Sequence, residues 1–127
     1  MELFNQPAGK NTPAIHFDPA IGTLLLKGNC TPENAKAFFD PLFLALSDYM
    51  QNARAQTTVD IHLNYINTSS SKMFLRLFKQ LYEIHNRSSK VLIRWYYEVG
   101  DDDMRDAGSD YESMIDLPFK LIEENAS

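Results

Sequence analysis

Five consecutive polar residues, Asn67-Thr68-Ser69-Ser70-Ser71, followed by Lys72, hold the densest set of reactive side chains in the chain. Four hydroxyls in a row suggest three chemistries: a nucleophile, a phosphate cradle, or an acceptor for a phosphate transferred by another enzyme. A hydrolase nucleophile needs the Gly-x-Ser-x-Gly elbow, because glycine tolerates the strained turn that lifts the serine. No glycine lies between Gly28 and Gly100, so neither that elbow nor a glycine-rich phosphate loop can form here. A small enzyme built on the serine cluster is therefore the weakest reading. A phosphorylated threonine or serine, by contrast, needs only an exposed hydroxyl, and it adds a charge of roughly −1.5 to −2 with three strong acceptors. The competing reading is structural: short hydroxyl side chains bond the free N–H groups at a helix start. Spacing alone favours capping.

Other candidates for chemistry are thinner. Asp101, Asp102 and Asp103 fail the calcium-loop template, since Arg105 stands at a ligand position and the glycine is misplaced; an acidic first turn of a helix explains them better. His16, His62 and His85 form no i, i+4 pair and have no Cys or Glu at ligand spacing. A receiver-type phosphoacceptor would require Asp where the chain has Asn67. The expectation is a protein with no catalytic residues, no metal and no cofactor.

The elements that must position the hydroxyls are legible around them. Val59, Ile61, Leu63 and Tyr65 alternate with polar residues, the period of two of a strand. Beyond Lys72, Phe74, Leu77, Phe78, Leu81, Ile84 and His85 fall on one helical stripe. The hydroxyls thus sit between a strand end and a helix start, where α/β proteins present functional loops. Upstream, Ala14 to Phe17 and Thr23 to Lys27 read as a hairpin around Asp18-Pro19-Ala20-Ile21-Gly22. Thr31 and Pro32 suit the cap and first residue of a helix striped by Phe38, Phe39, Leu42, Leu46 and Tyr49. Pro41 lies inside that stripe, which keeps its phase across it, so one kinked helix is expected in preference to a break at Asp40. Lys90 to Val99 carries bulk on both faces, as an inner strand covered on both sides would. A helix after Asp103 ends at Pro118, with a last short strand or packed tail from Phe119. Residues 1 to about 11 read as a loose arm.

Strands alternating with helices imply an α/β fold, a single domain over residues 1–127, with a mixed, mostly parallel sheet after an N-terminal antiparallel hairpin and helices packed on it. At 127 residues such a domain can build a core without staples. A formal net charge of −5 argues against nucleic acid and against a polybasic membrane anchor. No apolar run approaches the ~20 residues of a spanning helix. With the single Cys30, and an N-terminus lacking the pattern of a secretory signal, the expected location is the cytoplasm.

The strand, Asn-Thr-Ser-Ser, helix arrangement is similar to the Asp-Ser-Ser-Gly corner of anti-sigma factor antagonists (STAS domains), in which the first hydroxyl is the switch phosphosite; Thr68 holds that place. The pattern departs at Asn67, Thr68 and Ser70. A closer resemblance spans nearly the whole chain. Thr12-Pro13-Ala14-Ile15, Pro32-Glu33-Asn34, the run Leu63 to Lys72 and Ile93-Arg94-Trp95-Tyr96-Tyr97 resemble the SiaC family of biofilm-regulating phosphoproteins. That resemblance implies a STAS-like regulator without catalysis, phosphorylated on Thr68 (Ser69 and Ser70 next in order) by a dedicated protein kinase. A metal-dependent serine/threonine phosphatase would reverse the modification. The unmodified form would bind and activate a diguanylate cyclase, raising cyclic di-GMP, through a partner surface at Asn67, Thr68, Ser69, Ser70, Ser71 and Lys72. An anti-sigma antagonist acting on a kinase-type anti-sigma factor is the alternative.

Overall fold

Thr57, Val59, Ile61 and Leu63 are buried while Thr58, Asp60, His62 and Asn64 point the other way, and this alternation makes β4, Gln56–Ile66, the longest strand. The computed structural model describes residues 3–125. Around β4 the order is β1 (Phe4–Gln6), β2 (Ala14–Asp18), β3 (Thr23–Cys30), α1 (Ala35–Met50), β4, α2 (Thr68–Arg87), β5 (Lys90–Glu98), α3 (Asp102–Met114) and β6 (Phe119–Glu124). The six strands lie in chain order in one sheet. β2 runs antiparallel to both of its neighbours, β1 and β3, and β3 to β6 run parallel.

That order has a consequence for the layers. Each of the three strand–helix–strand crossovers moves one strand along in the same direction. Right-handed crossovers stepping one way place every helix on the same face. The burial pattern agrees: Ile15, Phe17, Leu24, Leu26, Val59, Ile61, Val91, Ile93 and Trp95 are buried beneath the helices, while the alternate residues are half-buried or exposed. The expectation that β5 is covered on both sides is therefore corrected. Leu92, Arg94 and Tyr96 face a bare side of the sheet, and their bulk is shielded only by neighbouring strands.

Two further expectations change, and the single helix expected through Pro41 is found. The N-terminal arm is not loose from Phe4 onward, because Phe4, Asn5 and Gln6 pair with Phe17, His16 and Ile15 at the sheet edge; residues 1 and 2 lie outside the described residues. The cap of α1 is Asn34, whose Oδ1 accepts from the Ala37 N–H at 3.1 Å, not Thr31. Thr31 is instead tied to Asn11 through its backbone N–H at 2.8 Å. Pro41 stays inside α1, which runs unbroken because Phe39, Leu42, Phe43 and Leu46 anchor both sides of it.

Under α2 and α3 the core is aromatic. Trp95 is fully buried, touches Phe74, Phe78, Tyr111 and Phe119, and donates its indole N–H to the Met104 carbonyl at 2.9 Å. Gly108 on α3 lets the helix approach this ring. A methyl group there would overlap Trp95 and come within 2.7 Å of Leu121 Cδ2. Helix propensity favours alanine over glycine by about 1 kcal/mol, but overpacking costs about 1–3 kcal/mol. Gly108→Ala should therefore destabilise, seen as a lower denaturant midpoint at unchanged slope. A raised midpoint would contradict this packing.

Candidate functional site

The hydroxyl run occupies the first turn of α2, and the residue that caps the helix is Asn67. Its Oδ1 accepts from the Ser70 N–H at 2.9 Å and from the Ser69 hydroxyl at 3.4 Å. Its amide nitrogen donates to the Pro32 carbonyl at 3.3 Å, and its backbone N–H donates to the Cys30 carbonyl at 3.0 Å. The corner is thus stitched to the end of β3, where the pairing with β4 shifts by one residue after Gly28. Gly28 has φ +129°, a conformation that L side chains rarely adopt, and it lies against Pro13.

Helical geometry then separates the hydroxyls. Thr68 and Ser69 are exposed, and among the described residues no hydrogen bond engages the Thr68 hydroxyl. Ser70 is fully buried beneath them, its Oγ lacking a well-formed hydrogen bond although it lies against the Cys30 thiol. Burial pushes that thiol up to about 11, an effect the serine hydroxyl partly opposes, so Cys30 is a neutral, unreactive core residue. Ser71 is half-buried and turns its hydroxyl back to the Thr68 carbonyl at 3.0 Å. Lys72 is exposed. The expected surface of six residues loses Ser70, both as a partner contact and as a phosphate acceptor. A fully buried oxygen cannot meet another protein's active site.

One contributor escapes sequence reasoning. Tyr111 of α3 donates its hydroxyl to the Ser71 carbonyl at 2.7 Å, pinning the first turn of α2 from the side. Burial raises its pKa to about 12, so it remains a donor at neutral pH. The only signal was an aromatic with a polar tip on the α3 stripe. Beside it, Ile66, Leu75, Ala107 and Met114 line a shallow apolar recess of about 320 Å³ that opens next to Ser71 and Lys72. Met114 in its lining is 62% exposed, and Tyr65, next to Ile66 in the chain, is 60% exposed. Large exposed apolar groups beside a polar corner mark protein-binding surfaces.

The remaining candidates hold structure together. Asp101 caps α3 through the Met104 N–H at 3.1 Å, and Asp102 and Asp103 occupy its first turn. His85 accepts the Val91 N–H at 3.0 Å on Nδ1. His62 contacts Glu124 on the bare face of the sheet, and His16 is exposed on β2. Among the described residues no group of three or more His, Cys, Asp or Glu is placed to hold a metal, and no helix is long and apolar enough to cross a membrane.

Comparison with known proteins agrees with this geometry. The model of the SiaC family regulatory phosphoproteins matches residues 6–124. An uncharacterised protein of Pseudomonas aeruginosa strain UCBPP-PA14 is 26% identical over 115 residues, 91% of each chain. The solved structure of SiaC of Pseudomonas aeruginosa superposes with a TM-score of 0.87 at 25% identity, covering 98% of this chain and 100% of that one. A second solved structure shows SiaC of that organism as activator in complex with the diguanylate cyclase SiaD. It matches with a TM-score of 0.87 at 25% identity, over 95% of this chain and 99% of that one.

Proposed function

Because this chain belongs to the SiaC family of regulatory phosphoproteins, we propose that it is a non-enzymatic phospho-switch whose unmodified form binds and activates a diguanylate cyclase in the cytoplasm, and that Thr68 is the switch. The complex solved for the Pseudomonas aeruginosa relative supports the partner class. The observation that carries the site is the contrast within one turn of helix: the Thr68 hydroxyl is exposed and unengaged, and Ser70 two residues on is sealed in the core.

Phosphorylation at Thr68 puts a near-dianion at the first residue of α2. The cap already occupies the Ser70 N–H, so the N–H groups of Thr68 and Ser69 and the ammonium of Lys72 one turn on are the local groups that can face it. A protein kinase adds the phosphate and a metal-dependent serine/threonine phosphatase removes it. Incubation with a cognate kinase and ATP, followed by intact-mass and peptide mapping, should find one phosphate on Thr68, with Ser69 the sole exposed competitor in the turn. Modification of Ser71, or of any residue off this corner, would overturn the assignment.

A further inference from the structure

The bare face of the sheet plays no part in the corner, yet it carries an ordered set of polar groups. In register, His16, Leu25, Asp60, Arg94 and Lys120 form one row across the strands, and Ala14, Lys27, His62, Tyr96 and Ile122 form the next. The first row is self-contained: Arg94 grips Asp60 with two hydrogen bonds, 2.5 and 2.8 Å. The second row opens into a concavity of about 740 Å³, bounded by Ala8 on one side and by Glu124 and Asn125 on the other. That volume is typical of small-molecule sites.

Its floor has a fixed polarity. The His62 ring stacks on Tyr96, centroids 3.8 Å apart and planes 10° from parallel. Glu124 reaches across β5 to His62 Nδ1 at 3.1 Å. In the neutral ring the proton therefore sits on Nδ1, leaving Nε2 as an acceptor. Glu98 is paired in register with Glu124, lines the same space, and its carboxylate has no ion-pair partner among the described residues. Like charges side by side on neighbouring strands repel. On the opposite wall Lys27, likewise without an ion-pair partner among the described residues, lies two strands from Glu98 and two residues off it in register, roughly 12 Å between main-chain positions at normal strand spacing and rise.

We propose that this concavity binds a small zwitterion of the amino-acid type, its cationic end between Glu98 and Glu124 and its carboxylate towards Lys27. A guanidinium fits the cationic end better than an ammonium, because it is planar, stacks on aromatic rings and donates in two directions to adjacent carboxylates. Arginine therefore represents the class. No residue of the concavity belongs to the α2 corner, so the proposal stands or falls apart from the phospho-switch.

Titration of the unmodified protein with L-arginine, followed by calorimetry and by the NMR signals of the His62 and Tyr96 rings, tests it. Saturable binding with a Kd of about 1 mM or tighter is expected. Glu98→Gln with Glu124→Gln should weaken it at least about tenfold. Lys27→Met should weaken arginine binding but leave ethylguanidinium unaffected, since that probe has no carboxylate. All three side chains are at the surface or half-buried, and circular dichroism melts confirm that the variants fold. Absence of saturation, equal binding by the double glutamine variant, or equal affinity for arginine capped at both ends would overturn the proposal.

Discussion

Thr68→Asp should weaken the complex with a diguanylate cyclase at least tenfold, a change of about 1.4 kcal/mol, whereas Thr68→Ala should bind as the unmodified protein does. The threonine sits at the rim of a surface that combines the exposed corner with the apolar recess beside it. A carboxylate brought into such a contact loses water and regains little unless a cation receives it. Lys72 is the basic residue within one turn, and nothing else basic lies close in sequence. The same substitution should leave the fold intact. An acidic side chain in the first turn of a helix is favoured by the macrodipole by about 0.3–1 kcal/mol, and the capping bonds come from Asn67, not Thr68. Binding and stability are therefore expected to separate: weaker association in calorimetric titration, with an unchanged or slightly raised denaturant midpoint. Tighter binding by the aspartate variant would reverse the direction of the switch. Loss of binding together with loss of folding would remove the argument for it.

Phe78→Ala should cost about 3–5 kcal/mol. Phe78 is fully buried on α2 and its ring meets four others: Phe74 at 6.2 Å, Trp95 at 6.5 Å, Tyr111 at 5.0 Å and Phe119 at 5.7 Å between centroids. These come from α2, β5, α3 and β6, so truncation opens a cavity where four elements meet, and none can move in without disturbing the others. A domain of this size has about 5–15 kcal/mol in all, so the variant should be at the edge of unfolding at physiological temperature. A guanidinium melt reads the loss directly. A cost below about 1 kcal/mol would mean that the ring cluster is not the joint between α2 and α3 described above. Because Tyr111 also holds the Ser71 carbonyl, loosening this cluster should reach the corner. At temperatures where the variant remains folded, its affinity for the cyclase should fall.

The hairpin, β4, the two longer helices and the hydroxyl-bearing corner were all legible from period and punctuation. Val59, Ile61 and Leu63 state a period of two, and Phe74, Leu77, Phe78, Leu81 and Ile84 a period near 3.6; both are local properties that survive any arrangement of their neighbours. The corner was legible for the same reason, since short polar residues between two such periods leave few local conformations. The residues that carry the resemblance to the SiaC family were likewise in plain view.

What the chain in one dimension leaves open is which side is covered and which way a hydroxyl points. Bulk at Leu92, Arg94 and Tyr96 suggested a strand covered on both faces, yet their shelter comes from Asp60, His62 and the adjacent strands. Alternation records that a side chain is shielded, not whether a helix or a neighbouring strand shields it. The edge strand Phe4–Gln6 is held by main-chain pairing, which side-chain patterns do not register. Four successive hydroxyls, spaced 100° apart, sweep a full turn of helix, so their types cannot say which faces inward. Packing of α2 on the sheet sets that phase: it drives Ser70 against Cys30 and leaves Thr68 in water. That a hydroxyl stands at the mouth of this helix follows from local pattern, and which one meets solvent follows from tertiary contact, because burial belongs to the surface on which a helix lies and not to the helix alone.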